Sequence, residues 1–228
     1  MIGFLVAGTD TGVGKTEIAR ALCIALRERG HAPRALKPVE TGCARDHPED
    51  ALALRSACGG GQPLDDVCPY RFPMPAAPLA AADAEGAEID LARIERLARA
   101  GAQPVVVEAA GGLLVPLARE RGALVTNLDL AVRLALPVVL VARAGLGTIN
   151  HSALSAAALA ARGVKLAAIV LNRVAAVDDP SVATNAAWVG QMTKSRVLGP
   201  TPFVADAAER SRALLPFANG LLDSAPSE

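Results

Sequence analysis

The chain reads Gly-Thr-Asp-Thr-Gly-Val-Gly-Lys-Thr from position 8 to position 16, between an apolar run at 3–7 and a helical pattern at 17–29. A strand, a glycine-rich loop and a helix in this order are typical of a phosphate-binding loop. The glycines turn backbone N–H groups toward an anion, and the helix adds its positive end. Lys15 would then reach the β- and γ-phosphates of a nucleotide, and the Thr16 hydroxyl would bind Mg²⁺.

The spacing of this loop departs from the common form. A standard loop has glycine six residues before the lysine, whereas here that position is Thr9 and Gly8 lies one residue earlier. The motif therefore predicts a variant phosphate-binding loop and leaves open a glycine-rich turn in an unrelated α/β protein.

The composition sets the class of protein. Of 228 residues, 52% are hydrophobic, so we expect one domain over residues 1–222, followed by a frayed tail at 223–228. Because 23 basic residues balance 23 acidic ones, no overall field would recruit nucleic acid or a membrane surface. The four cysteines contain no Cys-x-x-Cys pair, which argues against zinc. No run resembles a signal sequence or a membrane span, and we expect a cytoplasmic protein.

Short β-branched runs alternate with alanine- and leucine-rich stretches. The runs predict strands at 3–7, 32–38, 104–108, 137–141, 166–172 and 197–202. The stretches predict helices at 15–29, 50–58, 89–100, 128–134, 148–162 and 180–192. This alternation indicates an α/β fold with a doubly wound, mainly parallel sheet flanked by helices. Ligands of such sheets bind at the carboxyl ends of the strands.

The stretch 69–78 contains four prolines, so we expect it to be irregular. It is long enough to wrap a surface or to form part of a binding wall.

Charged side chains follow two of the predicted strands. Lys37 ends the second strand, and a buried ammonium is costly unless it meets an anion, so we expect it beside a bound phosphate. Glu108 follows three valines, and Mg²⁺ would keep this carboxylate ionised. A salt bridge to a neighbouring arginine is the alternative for Glu108. Asp50 is a second candidate for the metal, or only the cap of a helix.

Polar groups also follow the other predicted strands. Thr41, soon after the second strand, could hydrogen-bond a substrate. The loop 145–150 opens a helix, and its N–H groups are suited to a carboxylate. Asn172 and Arg173 end the fifth strand, where the amide of Asn172 could bind the edge of a nucleotide base. Five strand ends thus carry groups that nucleotide-dependent chemistry uses.

Together these segments resemble the dethiobiotin synthetase family of the P-loop NTPase superfamily, and the likeness covers nearly the whole chain. The segments that carry it lie at 8–16, 37–42, 50–52, 69–72, 108–112, 146–151 and 170–172. The extra residue in the phosphate-binding loop is the form that this family uses.

The resemblance implies an ATP- and Mg²⁺-dependent ligase of biotin biosynthesis that makes dethiobiotin, a cyclic urea, from 7,8-diaminononanoate and CO₂. One amine takes up CO₂ as a carbamate, and a carbamate oxygen attacks the γ-phosphate to give a carbamic-phosphoric anhydride. The second amine then attacks the carbamoyl carbon, phosphate leaves and the ring closes. The resemblance also implies a homodimer with the substrate site at the subunit interface.

The same resemblance assigns roles to residues of this chain. Lys37 and Lys15 would be catalytic and would neutralise the carbamate and phosphoryl oxygens, with Lys37 the essential residue. Mg²⁺ would be held by Thr16, Asp50 and Glu108.

The resemblance further implies two sets of contacts. ATP would contact Gly12, Val13, Gly14, Lys15, Thr16, Glu17, Asp50, Glu108, Ala109, Ala110, Gly111, Asn172, Arg173, Pro202, Phe203, Val204 and Glu209. The diamine substrate would contact Thr11, Thr41 and, across the dimer, Gly147 and Asn150.

Two residues depart from the family pattern. Ala109 stands where the family often has glycine, and its methyl group would lie where the backbone approaches phosphate. Glu40 replaces a residue that is frequently neutral, which would place a negative charge beside the carbamate unless the side chain points away.

Two other classes share parts of the pattern. Amide-forming ligases such as the cobyrinate diamide synthases resemble the nucleotide half, but they carry a glutaminase domain for which we expect no room here. Partitioning ATPases have a second lysine early in the loop, where this chain has Asp10, and a basic or amphipathic docking surface that the sequence does not show.

Overall fold

The structure, a computed structural model, describes residues 3–223 apart from the side chains of Ala207 and Ala208. Its strands are β1 (Gly3–Gly8), β2 (Arg34–Leu36), β3 (Val39–Thr41), β4 (Tyr70–Phe72), β5 (Val105–Gly112), β6 (Pro116–Glu120), β7 (Ala123–Thr126), β8 (Val138–Arg143), β9 (Leu166–Asn172) and β10 (Val197–Leu198). Its helices are α1 (Lys15–Glu28), α2 (Glu49–Ala57), α3 (Leu64–Val67), α4 (Pro78–Ala84), α5 (Leu91–Arg99), α6 (Asn127–Leu134), α7 (Thr148–Ala161), α8 (Val182–Thr193) and α9 (Ala207–Asp223).

Six of these strands form one parallel sheet in the order β10-β9-β8-β1-β5-β2. After β1 the chain forms the edge strand β2 and then β5, which lies between β2 and β1. It then continues on the other side of β1 with β8, β9 and β10, which confirms the predicted doubly wound α/β fold. The strands read as continuous apolar runs because both faces of the sheet are covered. In β1, for example, Leu5 and Ala7 join one hydrophobic cluster, and Phe4 and Val6 join the other.

The register of the sheet brings the predicted site residues to one edge. Leu36 pairs with Val107, so Lys37 follows β2 beside Glu108 of β5. Glu108 in turn pairs with Val6 of β1, two residues before the phosphate-binding loop begins. Parallel pairing therefore aligns the carboxyl ends of these three strands at a common edge.

Two small sheets lie outside the main one. β3 pairs with β4 in parallel, and β6 pairs with β7 in an antiparallel hairpin. The prediction that 69–78 is irregular is wrong for Tyr70–Phe72, because these three residues lie between prolines and form the β4 partner of β3.

The final helix was not predicted from the sequence. α9 spans Ala207–Asp223 and contains Pro216, which interrupts the helical pattern that sequence reasoning looks for. Asp223 of the predicted tail is the last residue of α9, and residues 224–228 lie outside the described part of the chain. Within residues 3–223, no helix is both long enough and apolar enough to cross a bilayer.

A capping box starts α6. The Thr126 backbone N–H donates to Asp129 Oδ2 at 2.8 Å, the Asp129 N–H donates to Thr126 Oγ1 at 3.3 Å, and Arg162 Nη2 lies 2.9 Å from Asp129 Oδ1. Burial works to raise the pKa of Asp129, but the bonds from Thr126 and Arg162 lower it below its usual value. A lowered folded-state pKa stabilises the fold above the unfolded pKa of about 3.9, and this contribution disappears as the pH falls through the folded value.

We therefore expect Asp129→Asn to lower the melting temperature at neutral pH, and to lower it progressively less as the pH falls below about 4. Thermal unfolding followed by circular dichroism at a series of pH values measures the difference. Asp178→Asn is the control, because Asp178 is exposed and has no ion pair or hydrogen bond within the described residues. A wild-type-minus-variant difference that does not change with pH would contradict the assignment.

Candidate active site

The phosphate-binding loop joins β1 to α1 at the centre of the sheet. Gly12 and Gly14 adopt positive φ angles of 73° and 91°, a region that favours glycine. No side chain among the described residues caps the N-terminus of α1, so its first N–H groups are directed at whatever anion the loop holds. The loop thus has the backbone geometry that the sequence predicted.

Lys15 lies over this loop. Its ammonium donates to the carbonyl oxygen of Asp10 at 2.9 Å, and Arg143 Nη2 lies 2.9 Å from the carboxylate of the same aspartate. Burial lowers the pKa of Lys15, and the nearby Glu108 carboxylate opposes that effect only in part. An incoming phosphate would replace a neutral carbonyl as the partner of this ammonium, which favours binding of an anion.

Lys37 lies in a buried ion pair. Its Nζ atom is 2.5 Å from Glu108 Oε1 and 2.8 Å from Asp50 Oδ2, while Lys37 and Glu108 are only 4% and 1% exposed. Burial alone would lower the pKa of Lys37, but the two carboxylates raise it above its usual value, so the ammonium stays protonated. Burial raises the pKa of Glu108, and the charge of Lys37 opposes that rise. The partner of Glu108 is therefore a lysine and not the arginine that the alternative interpretation named.

The oxygen atoms around Lys37 suit a magnesium ion. Thr16 Oγ1 donates to Glu108 Oε1 at 2.9 Å, and Asp50 approaches from the first turn of α2. Glu108 Oε2 is buried without a hydrogen-bond partner in the described part of the chain, which is costly unless a cation or donor meets it. Hydroxyl and carboxylate oxygens are the ligands that Mg²⁺ prefers. Within residues 3–223, no group of three or more His, Cys, Asp or Glu side chains is arranged to hold a metal ion.

Asp50 does not act as a helix cap. Burial works to raise its pKa, but Lys37 and Thr16 lower it below the usual range. The cap is instead Glu40, whose two carboxylate oxygens accept from the backbone N–H groups of Asp50 at 3.1 Å and Ala51 at 2.9 Å. The carboxylate of Glu40 is thus bonded to the N-terminus of α2, and Glu40 also lines the cavity beside Lys37.

The other departure also has a structural explanation. Ala109 is buried, and its side chain packs in the hydrophobic cluster that contains Val107 and Leu113. Because side chains alternate along β5, the methyl group lies on the face opposite Glu108. The expectation that this methyl would lie where the backbone meets phosphate is therefore wrong.

A cavity of about 390 Å³ opens beside Lys37. Its lining includes Thr11, Thr41, Asp50, Ala110 and Gly111, together with 75–78 from the proline-rich stretch. Of the two roles that the sequence left open for this stretch, residues 75–78 fit the wall of a cavity. The two threonines predicted to contact substrate line the same cavity as Lys37.

Asn127 holds the end of β5 after Glu108, and sequence reasoning missed this residue. The buried Nδ2 atom of Asn127 donates to Ala110 O at 2.6 Å and to Gly112 O at 2.9 Å. Asparagine at the first position of a helix, after a good cap, gives no sequence signal of this long-range contact. These two bonds hold the backbone of the last three residues of β5, which lead away from the ion pair.

Gly147 and Asn150 lie apart from the Lys37 cavity. A second cavity of about 430 Å³, lined by Thr11, 112–116 and Leu154 among others, separates α7 from the phosphate-binding loop and also lacks these two residues in its lining. The Leu146 N–H already donates to Asp179 Oδ2 at 2.8 Å, so fewer N–H groups of this loop are open to a carboxylate than the sequence suggested.

Asn172, one of the predicted base-binding residues, contacts two other parts of the chain. Its Nδ2 donates to Val13 O at 2.9 Å, and its Oδ1 accepts from Thr201 Oγ1 at 2.6 Å. Phe203 of the following segment is 36% exposed. Pro202, Arg173 and Glu209 are also exposed, and Val204 is half-buried. Asn172 therefore links the phosphate-binding loop to the segment after β10.

Gly14 packs against the side-chain amide of Asn172, which leaves no room for a side chain at position 14. A Cβ atom on Gly14 would lie 2.0 Å from Asn172 Nδ2, so Gly14→Ala must displace the amide or the loop. We expect ATP binding, measured by calorimetry, to weaken by about tenfold or more. Gly30→Ala is the matched control, because Gly30 has a similar φ of 82° with no atom within 4 Å of the added Cβ. Unchanged ATP affinity in Gly14→Ala would show that the contact does not matter.

Comparisons with known proteins agree with this geometry. A family model described as an AAA domain matches residues 3–211. ATP-dependent dethiobiotin synthetase BioD of Anaeromyxobacter dehalogenans (strain 2CP-C) is 53% identical over 218 residues, which cover 94% of this chain and 96% of that protein. The protein of the same name from Xanthomonas oryzae pv. oryzae (strain PXO99A) is 41% identical over 221 residues, covering 92% and 95%.

Among solved structures, chloroplast FtsY from Physcomitrella patens matches with a TM-score of 0.47 at 16% identity, covering 94% of this chain and 65% of that one. This likeness is too slight to carry an argument. The two relatives, in contrast, match nearly their whole length at high identity. The chain belongs to the ATP-dependent dethiobiotin synthetase family.

Proposed function

We propose that this chain closes the ureido ring of dethiobiotin, so that 7,8-diaminononanoate, CO₂ and ATP give dethiobiotin, ADP and phosphate. The observation that carries the proposal is the buried ammonium of Lys37, held by Asp50 and Glu108 beside a cavity that Thr11 and Thr41 also line. A cation in this position can serve both the carbamate and the phosphoryl group that the reaction brings together.

As a member of its family, the chain is an ATP-dependent ligase that acts on small molecules. The sequence predictions of family and enzyme class are thereby confirmed, and the partitioning ATPase and the amide-forming ligase are no longer needed as alternatives. The cytoplasmic location and the lack of nucleic-acid or membrane partners stay predictions.

The reaction needs no nucleophile from the protein. One substrate amine adds to CO₂ and loses a proton to give a carbamate. A carbamate oxygen forms a bond to the γ-phosphorus while the bond to ADP breaks. The second amine then attacks the carbamoyl carbon, inorganic phosphate leaves with the electrons of the broken C–O bond, and the ring closes. Catalysis therefore consists of positioning and of neutralising charge.

The two lysines would supply that neutralisation. Lys37 would move from Asp50 and Glu108 toward the carbamate and the terminal phosphoryl oxygens, and Lys15 would exchange the Asp10 carbonyl for the β- and γ-phosphates. Both ammonium groups are buried, where an electrostatic interaction is stronger than in water.

Thr16, Asp50 and Glu108 would hold Mg²⁺, which when bound would draw negative charge from the phosphate oxygens. The unpartnered Glu108 Oε2 supports this assignment.

The other proposed contacts of ATP lie along the same edge of the main sheet. We assign the phosphates to 12–17 and 108–111, and the base to Asn172 and Arg173, the segment 202–204 and Glu209. The support is that Asn172 joins the phosphate-binding loop to Thr201, at the start of that segment.

We also propose a homodimer in which Gly147 and Asn150 of each subunit bind the substrate carboxylate in the other. Asn150 and Leu154 lie one turn apart on the same face of α7, and Leu146 precedes the helix by two residues. The two leucines are 81% and 63% exposed. Exposed leucines on both sides of Asn150 favour an interface at this place.

The first prediction from this proposal concerns Lys37. Phosphate release from ATP by the wild type should depend on both 7,8-diaminononanoate and bicarbonate. Lys37→Ala should lower this turnover by about a hundredfold or more, because the developing charge loses its cation. Lys165→Ala, at an exposed lysine, is the control, and circular dichroism verifies that each variant folds. Near-normal turnover of Lys37→Ala would remove Lys37 from the mechanism, and diamine-independent hydrolysis by the wild type would refute the function.

The second concerns Asn150. If it binds the distant carboxylate of the substrate, Asn150→Ala should raise the Michaelis constant for the diamine more than that for ATP. Steady-state kinetics with each substrate varied in turn measure both constants. Gln191→Ala, which removes an exposed amide from α8, should change neither. Equal increases in the two constants would contradict the role assigned to Asn150.

A further inference from the structure

The segment 201–205, between β10 and α9, has no regular secondary structure and is tied down at both ends. At the first end, the Thr201 N–H donates to Leu171 O at 2.9 Å and its hydroxyl donates to Asn172 Oδ1 at 2.6 Å. The Arg173 N–H donates to the same hydroxyl at 3.1 Å. This end of the segment is therefore fixed to the C-terminal end of β9 and to the residue that follows it.

Arg210 of α9 holds the other end. Its Nε atom donates to Val204 O at 2.7 Å, and its Nη2 atom donates to Ala205 O at 2.8 Å. The third nitrogen, Nη1, lies 3.5 Å from Glu17 Oε1. All three guanidinium nitrogens thus have partners. Two of these partners are the consecutive carbonyl groups of Val204 and Ala205, and the third is the carboxylate of Glu17. Only a planar, forked cation can make these three contacts at once.

One end of the segment connects to the phosphate-binding loop, and the other connects to the first turn of the helix that follows the loop. Asn172 donates to Val13 O at the first end, and Arg210 meets Glu17, in the first turn of α1, at the second. Pro202 and Phe203 lie between the two attachments and are exposed. The wall formed by 202–204 is therefore held at a fixed distance from the loop that would hold the phosphates.

We propose that Arg210 is a positioning residue for the nucleotide base. This inference rests on the proposed function, specifically on the assignment of 202–204 to the base. Arg210 does not touch the nucleotide; it aligns the backbone of the segment so that the base is met by a preformed wall. Without it, Val204 and Ala205 lose their tether, and binding of the base must order the segment.

Arg210 is not needed to dock α9 itself. The far end of the helix is attached to α1 by Arg29, whose guanidinium donates to Asn219 Oδ1 at 3.0 Å and lies 2.6 Å from Asp223 Oδ1. Leu214, Ala218 and Leu221 of α9 are buried in the cluster that also contains α1 side chains. Loss of Arg210 is therefore expected to loosen the segment and leave the fold intact.

The test compares two ligands that share phosphates but differ in the base. Calorimetry in the presence of Mg²⁺ gives the dissociation constants of ATP and of inorganic tripolyphosphate for the wild type, Arg210→Gln and Arg210→Lys. We expect both variants to bind ATP about tenfold more weakly and tripolyphosphate as the wild type does. Lysine restores a charge opposite Glu17 but cannot hold both carbonyls. Arg212→Gln, at an exposed arginine of the same helix, should change neither constant.

Three results would overturn the inference. Parallel weakening of ATP and tripolyphosphate would mean that Arg210 acts on the phosphate-binding loop through Glu17. Unchanged ATP binding in both variants would mean that the segment needs no tether. A wild type that binds ATP no more tightly than tripolyphosphate would mean that no base contact exists. Failure of the proposed function is a separate result, because it would appear as a wild type that binds ATP but releases no phosphate in response to the diamine.

Discussion

The ion pair between Lys37 and Glu108 constrains the rest of this site. Breaking such a pair on one side leaves an uncompensated charge in the interior, at a cost of about 3–5 kcal/mol. Because Lys37 follows β2, Glu108 belongs to β5 and Asp50 lies in the first turn of α2, the three charges tie together elements that are distant in sequence. The same contacts place a protonated ammonium beside the phosphate-binding loop before any ligand arrives. The ion pairs of Lys37 therefore both stabilise this edge of the main sheet and preorganise the site.

On the side of the site assigned to the base, Asn172 likewise joins segments that are distant in sequence. One buried amide joins Val13 of the phosphate-binding loop to Thr201, where the base-side segment begins. The glycine at position 14 is required partly because a side chain there would collide with this amide. Phosphate and base would thus be held by backbone segments that share a single polar contact, which leaves little freedom for one to move without the other.

The sequence was sufficient for the features that local physics specifies. A glycine-rich loop between an apolar run and a helix predicts its own conformation, and Lys37 and Glu108 attract notice because charges at the ends of buried strands need partners. What it could not provide are contacts between distant residues. Nothing local distinguishes Glu40 as the cap of α2, Asn127 as the anchor of the end of β5, or Lys37 rather than an arginine as the partner of Glu108. The strands β3 and β4 are too short to show an alternation of polar and apolar residues. Pro216 interrupts the helical pattern of α9, so the sequence did not predict that helix.

The central claim is that Lys37 exchanges its carboxylate partners for the terminal phosphate and the carbamate. A crystal structure of the chain with Mg²⁺, the diamine and a non-hydrolysable ATP analogue tests it most directly. The account predicts Lys37 Nζ within hydrogen-bonding distance of a γ-phosphate oxygen, with Thr16, Asp50 and Glu108 turned to the metal. A Lys37 ammonium that still contacts both Glu108 and Asp50 and points away from the bound triphosphate would contradict it.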